Sequence, residues 1–167
     1  MSNWQSITLL TLLMFFNTLT MAKINNQYSL TNETYKALVS AQELMSKEKY
    51  SRAEVELLAL LKKTNAGSYD EAMVQQMLGY AYSSQERYQK AITEFEQALS
   101  LIVLPEVVSH ALRYNLGQLL LIEEEHNKGV EMLEQWFEVE PSPSNDAHAL
   151  IASGYYSLNN FKQTVMH

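Results

Sequence analysis

Apolar residues recur along this chain at intervals of three and four. The pattern is clearest between Leu78 and Ala98, which reads LGYAYSSQERYQKAITEFEQA. Leu78, Gly79 and Tyr82 share one segment, and Tyr88, Ala91, Phe95 and Ala98 share the next. That spacing puts each set on one face of a helix. The polar run from Ser83 to Arg87 has nothing apolar to bury and predicts a tight turn between the two helices. The result is an antiparallel hairpin. Gly79 and Ala91 stand where the two backbones must approach closely.

The same pattern repeats on either side. Upstream, Thr31 or Asn32 can cap a helix carrying Ala37, Ala41 and Leu44. After a turn at Lys47–Lys49, a second helix resumes at Tyr50 with Ala53, Leu57, Leu60 and Leu61. Gly67 reads as a helix-ending glycine, and Ser68 with Glu71 as a capping box for the next helix. Downstream, Pro105 suits a helix start and Pro141 and Pro143 end the third hairpin. A fourth begins near Ser144, with Ile151, Ala152 and Tyr155 on its first helix.

Tyr50, Tyr88 and His126 are spaced by 38 residues, as are Ala53, Ala91 and Gly129, and Leu57, Phe95 and Leu133. Ala41, Gly79 and Gly117 keep the same step. The fold class predicted is an all-α, right-handed solenoid of antiparallel helix hairpins. Its hairpins fall at about residues 31–65, 68–103, 105–140 and 144–167, the last incomplete.

Residues 1–22 are of another kind. Ile7 to Phe16 (ITLLTLLMFF) is ten residues without charge, too short to span a bilayer and of the length of an export-signal core. Thr20 and Ala22 suit a cleavage site after Ala22, although Met1 to Ser6 holds no Lys or Arg. The expectation is a signal peptide over 1–22 and a polar linker over 23–30, placing the protein in the periplasm. An uncleaved inner-membrane anchor over residues 7–22 and a buried N-terminal helix are the alternatives.

Composition narrows the function. Of 167 residues, 47% are hydrophobic, enough for a continuous core, and five Gly and three Pro are few for a turn-rich β protein. The net charge of −7 argues against a nucleic-acid surface. From Tyr114 onward only Lys128 and Lys162 are basic, against eight carboxylates. That acidity reads either as a solvated face or as a patch for a basic partner. The absence of cysteine removes disulfides, thiolate chemistry and a lipoprotein anchor.

The central L-G-x-x-Y … A-x-x-x-F hairpin resembles the tetratricopeptide repeat, and the resemblance runs from Thr31 to Val165. The usual repeat is about 34 residues. The longer step here reads as a helix lengthened by a turn with the hydrophobic phase kept, the extra residues falling at Ala66–Tyr69 and Leu104–Val107. The position often filled by Trp holds Ala37, Gln75, Arg113 and His148. The wording QMLGYAYSSQERYQKAITEFEQALSL, LRYNLGQLLL and ALIASGYYSL is further similar to the repeat proteins that accompany TonB energy-transduction systems. That likeness implies a periplasmic accessory of a TonB–ExbB–ExbD complex. Members usually continue through further repeats.

No catalytic constellation is present. His110, His126, His148 and His167 form no H-x-x-x-H pair, and no phosphate loop or nucleophile elbow occurs. The reading is therefore a non-catalytic interaction scaffold with no cofactor and no metal. A general envelope-assembly adaptor is the alternative. The predicted partner-binding surface is the concave face of the first helices: Tyr35, Leu38 and Gln42; Met73, Gln76 and Tyr80; Tyr114, Gln118 and Leu121; and Tyr156. Neutral and rich in Tyr and Gln, it suits an extended peptide or a partner helix. The same tyrosines could instead pack between neighbouring first helices.

Overall fold

A computed structural model describes residues 28–159. Among them are seven α-helices: α1 (Asn32–Ser46), α2 (Tyr50–Leu61), α3 (Tyr69–Ser83), α4 (Tyr88–Ser100), α5 (Glu106–Ile122), α6 (His126–Phe137) and α7 (Asn145–Ser157). No strand occurs among the described residues. The expected signal peptide and the expected second helix of the fourth hairpin lie outside them.

Each helix packs on the next in sequence, and α1 also touches α3, so the hairpins stack in chain order. Within a hairpin the partners run in opposite directions. Along α5 and α6, Leu121 meets Gly129 and Gly117 meets Leu133, and His110 meets Glu140 just beyond the end of α6. The expected close approach is present in the second hairpin. A methyl group added at Gly79 would collide with the Phe95 ring, which is buried between the two helices together with Ala91 and Ala98.

The 38-residue period reaches into the backbone. Second helices start at Tyr50, Tyr88 and His126. Glu48, Glu86 and Glu124, in the turns before them, are all left-handed, with φ of 57°, 58° and 62°. The amide after each of them closes on a carbonyl five residues earlier: Lys49 on Leu44, Arg87 on Tyr82 and Glu125 on Leu120. That is a Schellman end, here with Glu where glycine is usual.

Three local expectations are corrected. Gly67 is left-handed at φ 74°, but α2 already ends at Leu61, so this glycine turns the loop and does not cap the helix. Ser68 caps α3 by accepting from the Glu71 amide at 3.1 Å, whereas the Glu71 carboxylate reaches the Gly67 amide at 2.6 Å. Ala66 to Ser68 are loop residues, so the extra residues of the long repeat lie only partly in helix. The lengthening itself holds: α3 begins ten residues before Gly79 and α5 eleven before Gly117, against seven from the α7 start to Ala152.

Candidate functional site

The inner-face residues come from the first helices α1, α3, α5 and α7, and the structure divides them. Leu38, Met73 and Gln76 are buried, so they are not surface positions. Leu38 lies on the helical stripe of Thr34, Ala41 and Met45, which faces the core. Met73 and Gln76 belong to a helix buried almost all round, because α3 is packed by both helices of the first hairpin as well as by α4. Leu121 is half-buried but committed to packing. Its side chain would stand 2.7 Å from a methyl group at Gly129 and 3.1 Å from one at Gly154, which wedges it between α6 and α7.

The remaining residues can reach a partner. Gln42, Tyr80, Tyr114 and Gln118 are half-buried, whereas Tyr35 and Tyr156 are exposed. They do not form one uniform surface. Tyr80 packs edge-on against Phe95, with ring centroids 5.1 Å apart, and its hydroxyl accepts from the Asn115 amide at 3.0 Å. Burial pushes the Tyr80 phenol up to about 12, against the downward pull of hydrogen bonds from Gln76 and Asn115. Burial also raises the Tyr114 phenol, with the Asp146 charge adding to it and a hydrogen bond with Gln118 opposing. These phenols therefore stay protonated at neutral pH. The surface offers hydroxyls and amides and carries no Lys or Arg among the residues named.

Two features escaped the sequence reading. Asn115 joins Tyr80 across the α3–α5 boundary; it follows Tyr114 directly, and its polarity within an apolar stretch was the available signal. The other is an aromatic cluster at the junction of the third and fourth hairpins. The Trp136 ring stacks with His110 (centroids 5.3 Å apart) and lies against Tyr114 (4.7 Å) and Phe137 (5.1 Å). Phe137 in turn meets His148 at 5.1 Å. Trp136 stands 38 residues after Ala98, so a large ring at a position that is small one repeat earlier was the clue. His110 Nε2 lies 3.0 Å from Glu140 Oε2, and the Glu140 carboxyl is held low chiefly by that hydrogen bond.

Inter-repeat polar contacts lock these helices in place. Arg87 donates two hydrogen bonds to Glu54, at 2.5 and 3.2 Å, and lies over the Tyr82 ring at 4.6 Å. The Asp70 carboxylate accepts from the Thr31 amide at 3.1 Å and from its hydroxyl at 2.6 Å, tying the start of α3 to the start of α1. Among the described residues no group of His, Asp and Glu is placed to hold a metal ion. No described helix is long and apolar enough to cross a membrane.

Comparison with known proteins agrees with this architecture. Residues 73–102 match the tetratricopeptide repeat family. The chain is 28% identical over 109 residues to the uncharacterized protein ycf37 of Cyanophora paradoxa, an alignment covering 65% of this chain and 60% of that one. The chain thus spans about 60% of the length of that curated relative. The crystal structure of MamA superposes with a TM-score of 0.66 at 21% identity, covering 81% of this chain and 74% of MamA. The protein therefore carries a tetratricopeptide repeat within an all-α helical-repeat fold.

Proposed function

We propose that this protein is a non-catalytic interaction scaffold, exported to the periplasm, that serves as an accessory of a TonB-type energy-transduction system. The observation that carries the scaffold reading is the composition of the accessible inner face. Gln42, Tyr80, Tyr114, Gln118 and Tyr156 present hydroxyls, amides and ring faces without a basic clamp, and burial keeps the Tyr80 and Tyr114 phenols protonated. Tyrosine brings a large contact area at low entropic cost together with a hydrogen-bonding group. The face suits an uncharged extended segment or the side of a partner helix. The TonB assignment draws on the wording of the repeats, and the periplasmic location draws on residues 1–22, with cleavage after Ala22.

Affinity capture from envelope fractions tests this reading. The expected result is co-purification of TonB, ExbB or ExbD homologues, reduced about tenfold or more by Gln118→Ala with Tyr156→Ala at unchanged helicity. Capture of envelope-assembly components instead would replace the TonB assignment with a general adaptor role. Capture unaffected by the double variant would remove the inner face as the binding surface.

A further inference from the structure

The N-terminal edge of the solenoid is built differently from its interior. A shift of 38 residues aligns Tyr35, Lys36, Val39 and Glu43 of α1 with Met73, Val74, Met77 and Ala81 of α3. All four α3 residues are buried, and α3 packs on both helices of the hairpin before it. This is one helical face, the one on which hairpins stack. In α1 no described residue covers the same face to that extent. Tyr35 and Val39 are 47% and 42% exposed, and Lys36 and Glu43 beside them are exposed as well.

The charges along α1 are ordered. They run acidic, basic, acidic, basic at Glu33, Lys36, Glu43 and Lys47. Reversing the helix about Val39 and Ser40 brings Lys36 onto Glu43 and Glu33 next to Lys47. We propose that α1 is a self-complementary edge on which the α1 of a second copy packs antiparallel. Val39 lies near the two-fold axis, Tyr35 covers the apolar stripe of the other copy, and Lys36 of each copy faces Glu43 of the other. A two-fold contact closes on itself and gives a dimer, not a filament.

The existing ion pairs on α1 do not oppose this. Lys36 has no ion pair among the described residues, and those of Glu43 with Lys47 (2.6 Å) and Glu33 with Lys63 (3.0 Å) are exposed. Exposed pairs of this kind contribute little and exchange readily. One helical face is a small interface, so the dimer is weak and concentration-dependent. It covers Tyr35 but leaves Tyr80, Tyr114, Gln118 and Tyr156 of the inner face free, and it does not rest on the partner proposed above.

The absence of native cysteine makes a clean test, because a single introduced cysteine can form a disulfide only between two copies. Val39→Cys should cross-link under mild oxidation at least about tenfold faster than Ile102→Cys, since a dimer raises the local thiol concentration. Ile102, at 90% exposure, is the more accessible of the two positions. In sedimentation equilibrium, Lys36→Glu should weaken the dimer about tenfold, because the two-fold places two like-charge contacts in it. Adding Glu43→Lys should restore it. Equal cross-linking at both positions, a monomer at every concentration, or a charge exchange that fails to restore dimerisation would each overturn the proposal.

Discussion

The second and third hairpins share a backbone period but fill it differently. In the second, the Phe95 ring lies against Gly79, with Ala91 and Ala98 on either side of it along α4. In the third, the same positions hold Leu133 opposite Gly117, with Gly129 and Trp136. The ring has moved by one turn of the second helix, from the middle of the hairpin to its end. Leu121 advances over the bare Gly129 backbone, and Trp136 finds stacking partners in His110 and Tyr114. The bulk in the seam is redistributed along it, and both hairpins stay closely packed. The second hairpin thus depends on one central ring, and the third spreads its packing over a longer seam.

Truncation should expose that difference most strongly. Phe95→Ala removes a fully buried ring that lies against Gly79 and should cost about 3–5 kcal/mol. Leu133→Ala, at the equivalent place, should cost about 2–4 kcal/mol, because Trp136 and Leu121 still hold the seam. Chemical denaturation of the two variants measures both values. A larger loss at Leu133 than at Phe95 would mean that the third hairpin, too, is organised around its centre.

Alkali should separate the hairpins in another way. In α3, burial raises the phenols of Tyr69, Tyr80 and Tyr82 to about 12, with the Asp70 and Tyr28 charges adding at Tyr69 and Glu54 adding at Tyr82. Tyr114 on α5 is raised as well, mainly by burial. A group whose pKa is higher when folded contributes stability that is complete below its unfolded value of 10.0 and is lost as pH climbs towards the folded one. Folding should therefore weaken between pH of about 10 and about 12. The loss should be smaller in a Tyr69→Phe, Tyr82→Phe variant. A pH titration of the circular dichroism signal checks this. An unshifted alkaline midpoint in the variant would place the loss at phenols other than Tyr69 and Tyr82, Tyr80 among them.

The sequence carried the fold because the repeat signal is redundant. Ala41, Gly79 and Gly117, then Ala53, Ala91 and Gly129, and the starts at Tyr50, Tyr88 and His126 all state one period, and the helices follow it. The inner face was less legible. Helical spacing identifies the side of a helix on which Met73 and Gln76 lie, but not whether a neighbouring repeat covers that side. Here the packing of α3 against the first hairpin does cover it. Leu121 escaped for a related reason: its fate depends on two glycines, Gly129 and Gly154, on two other helices. The Trp136 cluster was missed because the period was traced through positions such as Ala53, Ala91 and Gly129, whereas Trp136 is large where Ala98, 38 residues earlier, is small.

The smallest expected effect lies where the hairpins are most alike, in their turns. Glu48, Glu86 and Glu124 all adopt left-handed backbone, which costs an ordinary L-residue about 1–2 kcal/mol and glycine almost nothing. Part of that gain is returned, because glycine makes the unfolded chain more flexible. Glu86→Gly should then stabilise the protein by about 0.5–1 kcal/mol, raising Tm by about 2–4 °C at most for a domain of this size. Glu48→Gly and Glu124→Gly should give the same increment, since each turn closes the same amide-to-carbonyl bond. Ile102 is a more demanding case. It is also left-handed, at φ 55°, but it is β-branched and lies in the loop between hairpins. Ile102→Gly should therefore gain at least as much as any of the three glutamates. Melting curves of the four single variants decide the matter. Unequal gains at the three glutamates would show that the turns differ in side-chain contacts despite their shared backbone, and a loss at Ile102 would show that its side chain stabilises the loop.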